Sequence, residues 1–81
     1  MRAVQQEVTV RRAEGGKPLD VYWQGRAHRV QVILDEWRYG GRWWLDEMPR
    51  TCFLVQAGPL TAELHHEDGP LGRWWLARMQ D

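Results

Sequence analysis

The five residues Gly41-Arg42-Trp43-Trp44-Leu45 recur unchanged as Gly72 to Leu76. The two copies together contain four of the six tryptophans in a chain of 81 residues. A domain of this length removes only about 60 to 65% of its unfolded surface from water, so a few large side chains decide what its core contains. The two copies therefore mark where the core, or a contact with a partner, is concentrated.

The repeat is confined to a short motif. When the sequence is shifted by 31 residues, Glu36 against Glu67 is the only further identity in the ten residues before the motif. This favours two similar strands over an internal duplication. Successive side chains of a strand face opposite sides, so one tryptophan of each adjacent pair should enter the core. The other ring could be covered by the termini or a partner subunit, stacked under Arg42 or Arg73, or presented for binding.

Period-two alternation of apolar residues predicts most of the secondary structure. Turn residues separate the alternating segments, for example Gly15-Gly16, Gln24-Gly25 and Gly58-Pro59. Residues 51–57 are apolar on both faces, which is typical of an internal strand. The predicted strands cover residues 4–11, 19–24, a return limb from 26, 42–45, 51–57, 60–66 and 71–79.

The return limb is the one ambiguous element. Residues 28–34 alternate as a strand should, whereas Val30, Ile33, Leu34 and Trp37 also fit a helical stripe. β-branched residues and the preceding hairpin turn favour a strand with a bulge near residues 33–35. A short helix at residues 33–39 is the alternative.

Six or seven short strands without a long helix predict an all-β fold in a single domain covering residues 1–81. We expect a small antiparallel barrel, closed or nearly closed, because closure removes exposed sheet edges. The single Cys52 cannot form an internal disulfide, and the sequence shows no signal peptide or membrane-spanning stretch. These features predict a cytoplasmic protein without membrane association.

The charges are balanced overall but uneven along the chain. The formal net charge is zero, with ten Arg and one Lys, and residues 1–45 carry an excess of three positive charges that residues 46–81 cancel. The two halves either form a dipolar surface or interleave in the fold and neutralise each other.

Exposed aromatic and arginine side chains are the candidate functional residues. Trp, Tyr and Arg are enriched at the energetic centres of protein interfaces, which predicts a protein partner or self-association. The same residue types stack on unpaired bases and hold phosphates, so single-stranded nucleic acid is the alternative ligand. The candidate interaction surface comprises Arg26, Arg29, Arg38, Tyr39, Arg42, Trp43, Arg73 and Trp75.

The sequence offers little for catalysis. It contains no Ser, and Cys52 falls in a predicted internal strand, where a thiol is usually inert. His65 and His66 should face opposite sides of their strand and so cannot easily share a metal. The acid pairs at residues 35–36, 46–47 and 67–68 lie beside turns, where we expect them to be solvated. We therefore predict a protein without enzymatic activity, cofactor, metal or small-molecule substrate.

Several segments carry a family resemblance over most of the chain. They are Val8-Thr9-Val10, Pro18, Trp23-Gln24-Gly25-Arg26, Val30 with residues 33–38, Arg42-Trp43-Trp44 with Pro49-Arg50, and Asp68, Gly72 and Trp74 or Trp75. These resemble a family of short bacterial domains of unknown function, found alone or near the C-terminus of Y-family DNA polymerase-like proteins of mutagenesis cassettes. The resemblance implies an accessory role in DNA repair or translesion synthesis and supplies no catalytic residue. The sequence departs from the family pattern at Met79 and at residues 64–66.

Overall fold

The computed structural model describes residues 1–80, and the side chain of Trp43 lies outside the described part. Seven antiparallel strands form one sheet that curls into a half-barrel, in the order β3-β2-β1-β7-β6-β5-β4. This confirms the predicted all-β, barrel-like fold. The strands are β1 (Arg2–Arg12), β2 (Pro18–Trp23), β3 (Arg26–Arg29), β4 (Val32–Tyr39), β5 (Arg50–Ala57), β6 (Leu60–Glu67) and β7 (Trp74–Gln80), with one 3₁₀ turn at Trp43–Leu45.

The two ends of the sheet are neighbours in the chain. Only residues 30 and 31 separate β3 from β4, and these strands lie at opposite ends of the strand order. The amide of Val30 donates to the carbonyl of Leu19 in β2, and the amide of Gln31 donates to the carbonyl of Gln56 in β5, each at 2.8 Å. Residues 30 and 31 are therefore hydrogen-bonded to strands near both ends of the sheet. Within residues 1–80, β3 and β4 each pair with only one neighbouring strand, so the sheet curls without closing its ladder and retains two edges.

The long strand β1 pairs with β7 along its first part and with β2 along its last part. Val8 lies opposite Trp74 of β7, whereas the next residue, Thr9, lies opposite Tyr22 of β2. The register also shifts between Ala3 and Gln6, and Gln5 has a φ of 55°. Such an irregularity bends a strand and increases its twist, and here it lies in the part of β1 that pairs with β7.

The core lies on the concave face and is built around Trp74. Its ring stacks on Phe53 with centroids 5.8 Å apart and on His66 with centroids 4.4 Å apart. The alternation predicted for residues 51–57 is confirmed, since Phe53, Val55 and Ala57 are buried. The buried cluster comprises Val21, Phe53, Val55, Ala62, Leu64, Trp74, Leu76 and Met79, and Val4, Val8 and Val10 of β1 pack against it.

The first copy of the repeat does not form the predicted strand at residues 42–45. It forms the 3₁₀ turn of the β4–β5 loop, in which the amide of Leu45 donates to the carbonyl of Arg42 at 2.8 Å. Gly41 has a φ of 74°, and a Cβ there would lie 3.0 Å from the carbonyl oxygens of Glu47 and Met48. The carboxylate of Glu47 also accepts a bond from the amide of Arg42 at 2.9 Å. These contacts fold the segment into a tight loop, which overrides its strand pattern.

The second copy behaves as predicted from Trp74 onwards, with Trp74 in the core and Trp75 on the opposite face. The last strand begins later than the predicted residue 71 because residues 68–73 form a loop. The helix considered at residues 33–39 is wrong, since this segment is β4. The predicted bulge is confirmed by a register shift between Ile33 and Asp35.

Candidate functional site

Edge strand β4 is exposed along nearly its whole length. Its large side chains Val32, Leu34, Trp37 and Tyr39 are 47%, 53%, 36% and 44% exposed, whereas no residue of the neighbouring strand β5 is exposed. An edge strand also presents unpaired backbone N–H and C=O groups on its open side. An edge of eight residues that exposes four large apolar or aromatic side chains can therefore accept another strand.

Several local contacts limit how readily this edge can pair with another strand. The bulge at Leu34 interrupts the ladder, and the amide of Glu36 donates to Asp35 Oδ1 at 2.8 Å. Lys17 pairs with Glu36 at 2.5 Å. Bulges and charges are common devices that limit unselective edge pairing. Residues 35–39 follow the bulge as a regular segment, and each of them is exposed.

The other edge, β3, is built differently. It spans four residues, and its two arginines, Arg26 and Arg29, are exposed. Within the described chain, neither guanidinium has an ion pair. A short edge that carries positive charge is protected against strand addition.

The convex face of the sheet carries a row of side chains that begins on β4. Trp37 lies opposite Cys52, Cys52 opposite His65, and His65 opposite Trp75, so the row crosses four strands. Cys52 is fully buried beneath its neighbours, and this desolvation, together with the nearby charge of Glu63, raises the pKa of its thiol. A thiol with a raised pKa is a poor nucleophile at neutral pH.

A buried carboxylate anchors this face. Glu67 pairs with Arg73 at 2.8 Å and with Arg50 at 3.7 Å, and its side chain is 8% exposed. Both guanidinium groups lie over the ring of Trp75, with centroid distances of 5.7 Å for Arg50 and 5.5 Å for Arg73. Trp75 therefore adopts one of the arrangements predicted for an outward ring, stacking under Arg73. The indole Nε1 is buried and has no hydrogen-bond partner.

The tautomer of His65 follows from its two neighbours. Arg50 Nη1 lies 3.2 Å from Nδ1, and because a guanidinium only donates, Nδ1 accepts. Nε2 then carries the proton and donates to Glu63 at 2.6 Å. Both ring nitrogens of His65 are occupied, so this imidazole is not available to activate the Cys52 thiol beside it.

The predicted candidate residues separate into two groups. Arg38 and Tyr39 lie on β4, and Arg42 and Arg73 lie in the β4–β5 and β6–β7 loops, whereas Arg26 and Arg29 lie on β3 at the other end of the sheet. Trp75 lies between the two groups, on the middle strand β7. The side chain of Trp43, the remaining candidate, is outside the described part.

The arginines of the β4 group are already paired. Arg38 donates to Asp68 at 2.6 and 3.1 Å, and Arg42 donates to Glu47 at 2.7 and 3.3 Å. These hydrogen bonds raise the pKa of both arginines and lower the pKa of Asp68 and Glu47. The Arg38–Asp68 pair also joins the two halves of the chain, as interleaving charges would. Paired guanidiniums are less available to phosphate than free ones.

Sequence reasoning missed the central residues Trp37, Arg50 and Glu67. The acid pair at residues 67–68 was expected to be solvated, which is wrong for Glu67, because Arg50 and Arg73 enclose it. The strand register brings Arg50 opposite Glu67. Opposite charges at the start of β5 and the end of β6 were a usable signal, but only once hairpin pairing of these strands was assumed.

A second exposed apolar group lies in the loops beyond β4. Trp44, Leu45 and Met48 of the β4–β5 loop are exposed, as is Leu71 of the β6–β7 loop. The two loops touch, since a Cβ on Gly69 would lie 2.6 Å from the Met48 methyl carbon.

Two concavities also occur. A groove of about 470 Å³ is lined by Arg12, His66 and residues 67–72, and burial lowers the pKa of His66 there. An apolar crevice of about 10 Å³, lined in part by Val21, Trp23 and His28, has room for about one water molecule. The Nε2 atom of His28 is buried without a partner.

A different surface lies on the convex side of β1, β2 and β3. Tyr22 is 44% exposed and lies between Thr9 and Ala27, two smaller residues. Arg11 and Arg29 occupy the adjacent row on either side of Asp20. Arg11 is ion-paired with the buried Asp20, so the charges of these two residues offset each other.

Comparisons with protein-family models, curated proteins and solved structures find no match. The family resemblance therefore stays a prediction. Among the described residues, no group of three or more His, Cys, Asp or Glu side chains is arranged to hold a metal ion. None of the described helical segments is long and apolar enough to span a membrane.

Proposed function

We propose that this chain is a non-catalytic binding module that adds a strand from a protein partner to the open edge of β4. The observation that carries the proposal is the exposure of Val32, Leu34, Trp37 and Tyr39 along this edge. In strand addition, backbone hydrogen bonds supply affinity, and alternate side chains supply specificity. Trp37 and Tyr39 share one face of β4, so they form a two-residue aromatic contact for such a partner.

The biological setting that we propose is an accessory role in DNA repair or translesion synthesis in the cytoplasm. It rests on the family resemblance, and the compartment rests on the single Cys52 without an internal disulfide partner. The strand-addition mechanism rests on the geometry of β4 and is independent of this setting.

The test uses proline as an edge block. The amide of Glu36 donates to the side chain of Asp35, so Glu36→Pro removes this donor while leaving the aromatic residues in place. Proline is tolerated on edge strands where its position faces solvent. Glu36→Gln is the matched control, because it removes the same exposed ion pair with Lys17 and keeps the amide. The probe is a phage-displayed library of random peptides, selected on the wild-type protein.

We expect the enriched peptides to bind the wild-type protein and Glu36→Gln with similar affinity by isothermal titration calorimetry. Glu36→Pro should weaken binding about tenfold or more, which corresponds to the loss of about 1.4 kcal/mol. Circular dichroism and thermal unfolding should show that Glu36→Pro remains folded. Equal peptide binding by folded Glu36→Pro and wild type would contradict the proposal.

The second candidate function is binding of single-stranded nucleic acid on the convex face of β1 to β3. The observation that favours it is the exposed ring of Tyr22 beside Arg29, whose guanidinium has no ion pair in the described residues. A base stacked on an aromatic ring is worth about 1 to 3 kcal/mol, and a nearby arginine can hold a phosphate.

Fluorescence anisotropy of a labelled oligothymidylate, at low and high salt, tests this candidate. Tyr22→Leu should weaken binding about fivefold or more, and added salt should weaken it further. Tyr39→Leu is the matched control, because Tyr39 is also 44% exposed but lies on β4. Absence of binding at low salt would remove this candidate.

A further inference from the structure

We infer that the strand accepted by β4 is β4 of a second copy of this chain, in an antiparallel register that places Trp37 opposite Trp37 of the second copy. This inference rests on the proposed function and specifies the partner. Its basis is the charge pattern of residues 35–39, which read Asp-Glu-Trp-Arg-Tyr.

Symmetry restricts the registers that two identical strands can adopt. Directly opposed residues of an antiparallel ladder point to the same face of the sheet, and neighbouring residues along a strand point to opposite faces. A two-fold symmetric pair within the regular segment 35–39 must therefore be centred on a residue. A register centred between two residues would oppose side chains from different faces.

Repulsion between like charges excludes most of the residues on which the two-fold pair could be centred. Registers centred on Asp35, Glu36 or Arg38 place each of these residues opposite its own copy. Like charges directly opposite one another destabilise a strand pair. A register centred on Tyr39 loses most of the overlap, because residues 40 and 41 leave the strand. The register centred on Trp37 avoids all of these conflicts.

The register centred on Trp37 also makes favourable contacts. It places Glu36 opposite Arg38 of the second copy, and symmetry generates the same pair a second time. Asp35 lies opposite Tyr39 of the second copy, whose phenol can donate to the carboxylate. The two Trp37 rings meet on the convex face, where each is 36% exposed in the single chain.

The backbone is compatible with this register. The amide of Glu36 donates to Asp35 Oδ1, so it points away from β5 and toward the open edge. Alternate residues of a strand direct their backbone groups to the same side, so the amide and carbonyl of Arg38 also point toward the open edge. Glu36 and Arg38 would form the hydrogen-bonded pairs of the new ladder once the Asp35 carboxylate releases the Glu36 amide. The Trp37 pair would be a non-hydrogen-bonded pair, in which side chains approach more closely. The existing pair of Glu36 with Lys17 is solvent-exposed and therefore a weak competitor. Arg38 makes a stronger, bidentate contact with Asp68, which it must share or exchange when it pairs with Glu36 of the second copy.

Exchanging the charges at positions 36 and 38 tests the register. Sedimentation equilibrium over about 1 μM to 1 mM protein measures dimerisation of each variant. Glu36→Lys and Arg38→Glu should each weaken the dimer about tenfold or more, because each opposes like charges across the interface. An equimolar mixture of the two variants should regain the dimer, since Lys at position 36 of one then faces Glu at position 38 of the other. The double variant should regain it as well.

Cross-linking provides a second measurement that does not depend on the charged variants folding. In a Cys52→Ala background, Trp37→Cys should form a disulfide-linked dimer under mild oxidation, because opposed Cα atoms about 4.5 Å apart suit a disulfide. Tyr39→Cys in the same background is the control. Its two copies would lie four residues apart along the strands, about 13 Å, and should cross-link much more slowly.

A wild-type dimer, weakened by each charge variant and regained in the mixture, together with preferential linkage at position 37, supports the inference. A wild-type monomer at about 1 mM overturns it. A dimer that Glu36→Lys strengthens, or one that links equally at position 39, also overturns it. If the monomeric protein still binds selected peptides and loses them in Glu36→Pro, only the second-copy inference fails. If Glu36→Pro binds peptides as well as the wild type, the proposed function itself fails.

Discussion

The strands β3 and β4 end the same sheet and are separated by only two residues, yet they are built in opposite ways. β3 has four residues and exposes Arg26 and Arg29, whereas β4 has eight and exposes Leu34, Trp37 and Tyr39. Both edges offer unpaired backbone groups, so length and side-chain chemistry make the difference. The contrast indicates that one edge is protected and the other is available for a partner.

Making β4 resemble β3 should produce the largest effect. The double variant Leu34→Lys, Trp37→Lys places positive charge on the available edge and removes an aromatic contact. We expect it to lose strand addition by about 2 kcal/mol or more, as for the truncation of an interface hot spot. Sedimentation of the protein and calorimetry with a selected peptide measure the loss.

The matched control for that change is Ala27→Lys on β3, which adds charge to the protected edge. We expect association to stay within about twofold of the wild type, because exposed substitutions outside a contact are usually near neutral. A loss as large as that of the β4 variant would show that the two edges do not differ in function.

The converse change should make β3 behave like β4. Arg26→Val with Arg29→Val removes both charges from this edge and raises its β propensity. We expect larger, concentration-dependent oligomers by light scattering, since each copy would then have two adhesive edges. Arg26→Gln with Arg29→Gln is the control for lost charge alone. Unchanged oligomeric state in the valine variant would contradict the view that the arginines protect this edge.

Removing the charge of Glu67 should lower the stability of the protein more than removing the charge of Asp20. Glu67, toward β4, pairs with Arg50 and Arg73, whereas Asp20, beside β3, pairs with Arg11. We expect Glu67→Gln to lower the free energy of unfolding by about 1 to 2 kcal/mol, because two arginines lose their counter-charge. Asp20→Asn should cost less. Urea denaturation of both variants measures the difference, and an equal or reversed order would contradict it.

Lowering the pH should selectively destabilise the β4 end of the sheet, and we expect this to be the smallest of the predicted effects. Arg38 lowers the pKa of Asp68, so this contact contributes stability above the unfolded carboxyl pKa of about 4 and loses it as pH falls through the folded value. We expect amide exchange near Arg38 to accelerate there, after correction for intrinsic rates, with less change in β3. Asp68→Asn should remove this pH dependence. If the exchange rates of the wild type depend on pH in the same way as those of Asp68→Asn, the assignment of this pH dependence to Asp68 would be contradicted.

The two copies of Gly-Arg-Trp-Trp-Leu show how much the sequence alone could predict. Alternation correctly identified the strand around Trp74, where Phe53 and His66 receive the ring in a core. The same five residues form a 3₁₀ turn at residues 43–45, because Glu47 binds the amide of Arg42 and Gly41 adopts a positive φ. Local pattern is identical in the two copies, so only the surroundings could distinguish them.

The candidate site was predictable to a smaller extent. The bulge near residues 33–35 and the stacking of Trp75 under Arg73 were both among the expectations, since broken alternation and an adjacent guanidinium are local signals. The exposure of Trp37 was not, because it depends on β4 being the last strand of the sheet. Strand order is set by long-range pairing, which period-two patterns do not encode.

Hydrogen exchange measured residue by residue, with and without saturating selected peptide, tests the central claim most directly. Strand addition at β4 predicts that the amides of Glu36 and Arg38 become protected about tenfold or more, while those of Ala27 and His28 in β3 stay unchanged. Protection confined to β3 or to the loops, with no change at Glu36 and Arg38, would contradict the account.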